Sequence, residues 1–214
     1  MYRPIKMITL LSFFSLLLWI GVVYKTGRSN YFYLLWNLFL AWVPMFFAYL
    51  MYHRLDNFIE KLKGWKFWSL TFLWLLFLPN APYLITDLIH INERHAPSTW
   101  GDPLLFFSFA LTGVMTGIVS LWIMRQNFRM LFGEKASWVL TYLSIALSGF
   151  GIFLGRIQRW NSWDILTDPR RLFTDIVLQL DNPMALYFTL GFSSFMGMLF
   201  VIMNPLFQPH IIKN

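Results

Sequence analysis

The chain has 214 residues, of which 57% are hydrophobic, 20% aromatic and 13% charged, with a formal net charge of +7 and no cysteine. Soluble domains carry about 25% charged residues, so this composition excludes an ordinary water-soluble fold, and the lack of cysteine excludes disulfides, thiol catalysis, cysteine-ligated zinc and acylation through cysteine. The 17 Lys and Arg lie in the links between apolar runs and form no dense patch, which argues against a nucleic-acid partner and for membrane topology as the source of the charge.

Residues 7–24, 31–52, 67–86, 103–124, 136–155 and 183–203 hold no Asp, Glu, Lys or Arg. Each run has roughly the 18 or more residues that a helix needs to cross hydrocarbon. The prediction is an all-α fold: a polytopic bundle of six transmembrane helices in the lipid bilayer, with a broken third helix and short interfacial helices, and with residues 1–214 forming a single integral membrane domain. The first run follows Arg3 and Lys6 as a signal peptide would. It is long for a signal core and no small-x-small cleavage site follows, so it is read as a retained helix.

After the second run, Leu55, Phe58, Ile59 and Leu62 recur at helical spacing opposite Arg54, Asp56, Glu60, Lys61 and Lys63. They predict a short interfacial helix that ends at Gly64. The third run reads Leu78-Pro79-Asn80-Ala81-Pro82-Tyr83 about 13 residues, or roughly 20 Å, beyond Trp65. Proline removes backbone donors and crowds the preceding turn, so the first helix should end near Leu78, with Asn80 capping a new helix at Ala81 and Pro82. Such an elbow must face protein or a wet cavity. A simple proline kink is the plainer alternative.

Asp87, His90 and Arg94 follow at spacings of three and four, on one helical face. Asp-x-x-His is the spacing of an acid–base pair or of two metal ligands, which makes Asp87 and His90 the catalytic candidates. Two ligands fall short of the three that a catalytic zinc site uses; His95 and Asp102 could supply more, but nothing in their spacing demands it, so no metal and no cofactor are assigned.

Near the end of the fifth run, Gly149, Gly151 and Gly155 allow close helix approach. Arg156 and Arg159 then stand one turn apart beside Trp160, Asn161, Ser162, Trp163 and Asp164. Two guanidiniums on one face suit a phosphate or carboxylate, and the alternative is that they snorkel or pair with Asp87 and Asp164. Ser162 would act as a nucleophile only beside an oriented base. Asp168 and Pro169 mark the start of a second interfacial helix, with Leu172, Phe173, Ile176, Val177 and Leu180 on its apolar side. Trp65, Trp68, Trp100, Trp138, Trp160 and Trp163 sit near helix ends, as headgroup anchors do.

If the six helices alternate, ten Lys and Arg fall on the side of both termini and seven on the other, which places both termini in the cytoplasm. Asn80, Asp87 and His90 then share the outer side with Arg156, Arg159, Trp160, Asn161 and Asp164, as one candidate ligand-binding cluster.

The strings Leu78-Pro79-Asn80-Ala81-Pro82-Tyr83 with Thr86-Asp87-Leu88, and Gly155-Arg156 with Arg159-Trp160-Asn161-Ser162-Trp163-Asp164, resemble those of a bacterial integral-membrane family, domain of unknown function 1361. The likeness runs from the second apolar run to the sixth. It implies a multi-pass protein of the bacterial cell membrane and brings no reaction with it. The family pattern often carries an aromatic residue before the acid in the third link, where this chain has Gly101 before Asp102, so no shared role is carried over to Trp100 and Gly101. Three functions fit the pattern. The first is binding of an anionic lipid headgroup or envelope component, with the arginines as clamp. The second is an envelope-facing enzyme acting on a phosphate or acyl lipid, and the third is a small-solute transporter built on the broken helix.

Overall fold

The computed structural model describes residues 2–27, 31–58, 64–91 and 100–207, without the side chains of residue 2 and of residues 54–58. In chain order it contains α1 (Tyr2–Thr26), α2 (Phe32–Phe58), α3 (Trp65–Phe77), α4 (Asn80–Tyr83), a 3₁₀ segment (Leu84–Ile91), α5 (Gly101–Arg156), α6 (Asp164–Thr167), α7 (Pro169–Gln179) and α8 (Pro183–Phe207). The described residues include no strand. Five helical stretches, Arg3–Thr26, Phe32–His53, Trp65–Ile91, Gly101–Arg156 and Pro183–Phe207, are long and apolar enough to cross a membrane. The chain is a multi-pass helical membrane protein. Its outer faces carry Phe13, Leu17, Phe39, Phe46, Met198 and Ile202, an exposed apolar surface that only lipid or another apolar partner covers at no cost.

The 56 residues of α5 would span roughly 84 Å as a straight rod, far beyond a hydrocarbon core of about 30 Å. Gly133 prevents that, with φ 82° and ψ 177° in the middle of the helix, a conformation open to glycine and costly to other residues. A Cβ on Gly113 would overlap the Ala81 carbonyl oxygen, and one on Gly151 would lie 2.5 Å from Pro79 Cγ. Residues well before and well after Gly133 therefore flank the same elbow, and the two halves of α5 run antiparallel. Among the described residues, the turn at Gly133 divides the longest of the five apolar stretches into two rods.

The sequence places a headgroup-level link over residues 125–135. The structure replaces it with helix on both sides of Gly133. Arg125 is 2% exposed, paired through Nη2 with Glu134 and stacked with its Cζ 4.0 Å from the Trp138 ring centroid, so one glycine and one ion pair make the turn without a loop. The interfacial helix expected over residues 54–64 is not found as a separate element: α2 continues to Phe58, and Ile59 and Leu62 lie outside the described residues. The helix expected after Asp168 is present as α7, whose first turn is capped by the Asp168 carboxylate accepting from the Arg171 backbone N–H at 3.4 Å.

Hydroxyl and amide side chains tie the rods together. Ser15 and Thr112 pair at 3.0 Å, Trp74 Nε1 donates to Ser120 Oγ at 2.9 Å, and Asn127 Nδ2 donates to the Ala48 carbonyl at 3.0 Å, interhelical bonds that replace the missing hydrophobic drive inside lipid. Two buried clusters fill the bundle. One centres on Trp74, Ile118, Met124 and Phe128, and the other on Leu34, Ala81, Phe106 and Phe109. Ring contacts of Trp68 with Phe132 and of Trp122 with Phe207 place the start of α3 and the end of α8 at the Gly133 end, and Tyr31 against Phe106 places the starts of α2 and α5 at the opposite, Arg156 end.

Gly113→Ala should destabilise the protein by about 1–3 kcal/mol through overpacking against the elbow backbone. Gly21→Ala, where a Cβ meets nothing within 4 Å, should be neutral or slightly stabilising. Thermal unfolding in one detergent checks the pair, and equal melting temperatures would contradict the packing described.

Candidate functional site

The proline pair sets the local problem. Pro79 and Pro82 lack N–H groups, so carbonyls of the preceding turn lose their helical donors, and in hydrocarbon a bare carbonyl costs several kcal/mol. The backbone nevertheless stays in the right-handed helical region through Leu78, Pro79 and Leu84. Ala81 N–H bonds to the Leu78 carbonyl at 3.2 Å and Tyr83 N–H to that of Pro79 at 3.0 Å. Because Ala81 N–H turns to Leu78 and not to Phe77, the kinked turn leaves further carbonyls to be met, and two side chains donate to them. Asn80 Nδ2 donates to the Phe77 carbonyl at 3.0 Å, and Ser162 Oγ donates to the Leu76 carbonyl at 3.0 Å.

Asn80 therefore does not cap a new helix, contrary to expectation. No side-chain cap bond is made at α4, because the Asn80 amide turns back to the carbonyl exposed by the proline kink. Its second amide hydrogen reaches Ser162 Oγ at 2.9 Å. Ser162 is thus held between a backbone carbonyl and an amide, an arrangement that supports the elbow and supplies no base to activate a nucleophile.

Beyond α4 the chain tightens into the 3₁₀ segment, where residues three apart eclipse one another, so Asp87 and His90 stand in one row. Arg156, the last residue of α5, reaches that row. Its Nη1 donates to Asp87 Oδ1 at 3.2 Å and to the Tyr83 hydroxyl at 3.3 Å. Its Nη2 donates to the Thr86 carbonyl at 3.1 Å and lies 2.8 Å from His90 Nε2. A guanidinium only donates, so in this contact Nε2 is the acceptor. The other Asp87 oxygen, Oδ2, accepts from Asn37 Nδ2 at 3.0 Å. The Asp87 and Arg156 side chains are 3% and 17% exposed. Asp87, His90 and Arg156, with Asp87 buried and the other two half-buried, thus form a mutually bonded cross-brace between the 3₁₀ segment, α5 and α2.

Arg159 is not part of it. The sequence puts Arg156 and Arg159 on one helical face, but α5 ends at Arg156, and Arg159 lies beyond it in the left-handed region with φ 62°. Trp160 N–H folds back to the Leu154 carbonyl at 3.1 Å, so the chain turns off the helix with an arginine in a conformation that favours glycine. The Arg159 side chain is exposed. Asp164 serves its own loop, accepting from the Asn161 backbone N–H at 2.6 Å and from Asn161 Nδ2 at 3.2 Å, while Trp160 Nε1 donates to Asp175 Oδ2 on α7 at 3.1 Å. Arg94 and His95 lie outside the described residues, and the described residues hold no cluster of three metal-ligating side chains.

Beside the cross-brace lies a cleft of about 360 Å³, bounded by α2, the elbow, the end of α5, the 157–163 loop and α7. Trp36, Phe72, Tyr83, Trp160, Trp163 and Phe173 give it aromatic walls, and Asn37, Asn80, Asn161 and Ser162 give it polar atoms. Among the described residues, no Asp, Glu, Lys or Arg lines it. Sequence reasoning missed Trp36, Asn37 and Phe72 as wall residues. Asn37, an amide inside an apolar run, was the available signal.

Asp87→Ala or Arg156→Ala alone should cost about 3–5 kcal/mol by stranding the buried partner. The double substitution should cost less than the sum of the two, and a double-mutant cycle on unfolding in detergent measures that coupling. Arg159→Gly should stabilise by about 1 kcal/mol by relieving the left-handed backbone. A drop in melting temperature would show instead that the arginine side chain holds the loop.

A model of the family described as protein of unknown function (DUF1361) matches residues 36–201, a span that contains the elbow, the 3₁₀ segment and the 157–163 loop. Comparison with curated proteins and with solved structures gave no match. With most of its length covered by that match, the chain belongs to the DUF1361 family of proteins of unknown function.

Proposed function

We propose that this protein is a binding protein of the bacterial cell membrane, one integral membrane domain with both termini cytoplasmic, whose cleft at the Arg156 end faces outward and holds an amphiphilic lipid or envelope component. The observation that carries the reading is the cleft itself, a cavity of ligand size between aromatic walls, roofed by an amphipathic helix. Leu172 of α7 is buried under that roof while Phe173, Val177 and Leu180 are exposed, as in a helix lying in the headgroup layer. Arg125, Arg129 and Lys135 gather at the opposite end, by the Gly133 turn, which fits a cytoplasmic placement of that end.

The groups on which the other readings relied are already engaged. His90 Nε2 and both Asp87 oxygens are occupied by Arg156 and Asn37, which favours a brace over an acid–base pair. The elbow remains helical, without the unwound half-helix termini that point at a transported solute. The anion clamp expected of Arg156 and Arg159 loses support because Arg156 is consumed and Arg159 does not line the cleft.

Native mass spectrometry of the detergent-purified protein tests the proposal. The wild-type chain should retain a lipid that Ile176→Trp, which fills the cleft from α7, reduces by about tenfold, equivalent to 1.4 kcal/mol. Equal retention by the two proteins would remove the cleft as the binding site.

A further inference from the structure

The polar atoms left unspent in the cleft specify what it holds. Three asparagines line it, and each directs its amide nitrogen into the protein: Asn37 to Asp87, Asn80 to the Phe77 carbonyl and Ser162, and Asn161 to Asp164. The orientation of each amide is fixed by its partner, because a carboxylate or a backbone carbonyl only accepts. What remains on these side chains is three carbonyl oxygens. Tyr83 also lines the cleft, and its hydroxyl accepts from Arg156 and keeps its own proton to donate. The rest of the described lining is aromatic or aliphatic apart from Ser162, whose hydroxyl is engaged by Asn80 and the Leu76 carbonyl, and among the described residues it carries no formal charge.

A phosphate or carboxylate would meet no cation on the described wall, only the neutral Tyr83 hydroxyl and the Trp36 and Trp163 indole N–H groups as donors, and would desolvate beside three carbonyl oxygens, at a cost of several kcal/mol. A hydroxyl both donates and accepts. From this donor–acceptor complement we infer that the cleft recognises an uncharged, hydroxyl-rich headgroup, a glycosyl group carried on a membrane lipid, with its hydroxyls on the asparagine carbonyls and Tyr83 and its apolar ring faces against the tryptophans. The inference rests on the binding role proposed above and narrows its amphiphilic ligand to one with a neutral headgroup. The lipid-borne form follows from the wall itself, since Leu40, Phe72 and Phe173 continue the cleft with purely apolar surface, which accommodates an alkyl chain and gives nothing to a free sugar.

The test uses the full wild-type chain in nanodiscs of phosphatidylcholine, so it needs no variant that fails to fold. A monohexosyl diacylglycerol, phosphatidic acid with the same acyl chains, and a free methyl hexoside are added separately at equal concentration, and adducts are read by native mass spectrometry. The hexosyl lipid should be retained at least about tenfold more than either of the others, and Ile176→Trp should abolish that preference. Preferential retention of phosphatidic acid overturns the neutral-headgroup inference while leaving a lipid-binding cleft intact. Equal retention of the free hexoside overturns the lipid-borne part. Retention of none of the three, with no adduct sensitive to Ile176→Trp, overturns both the inference and the binding role beneath it.

Discussion

A backbone carbonyl without a donor is expensive in hydrocarbon, and that constraint organises this molecule. Two prolines in one membrane helix expose carbonyls near the middle of the bundle, and the chain answers them from a segment more than eighty residues away in sequence. Ser162 Oγ takes the Leu76 carbonyl while Asn80 takes that of Phe77 and grips Ser162 as well. The two strings that mark the family are therefore the two halves of one joint. Glycine makes the joint possible, because Pro79 fits against α5 only where Gly151 has no side chain.

Once the joint closes, Arg156 is delivered to Asp87 and His90, and the charges expected to serve a ligand serve the fold instead. A half-buried arginine with four contacts inside the protein is a poor anion receptor, since a bond to a ligand would compete with those it already makes. This diversion of charge explains why the adjacent cleft is neutral. It also couples the cleft to the brace. Asn37 and Tyr83 belong to both, accepting or donating to Asp87 and Arg156 on one side and lining the cavity on the other, so occupancy of the cleft and integrity of the ion pair share two side chains.

Much of this was legible in the residues. Long uncharged runs gave the helical membrane fold, the proline pair gave the elbow, Asp168-Pro169 gave the start of α7, and the alternation of runs put Asp87 and Arg156 at one end. Three features were hidden for physical reasons. The turn at Gly133 looked like a link because its flanks are charged, yet Arg125 is buried by pairing with Glu134 and stacking on Trp138. Arg159 left the face of Arg156 because the helix stops one turn sooner than spacing alone indicates. The capping role assigned to Asn80 assumed a fresh helix, whereas a kink that keeps helical dihedrals has no new N-terminus to cap and offers orphan carbonyls instead.

The central claim, that the elbow and the 157–163 loop are clasped through Asn80 and Ser162, is open to direct measurement because the chain has no native cysteine. Asn80→Cys with Ser162→Cys, expressed in membranes and treated with a short thiol-to-thiol reagent, reports their separation on a gel after cleavage of the intervening chain. Cross-linking of the pair, with none for Gly21→Cys combined with Ser162→Cys, is the predicted result. An uncross-linked Asn80–Ser162 pair in the native membrane would contradict the account.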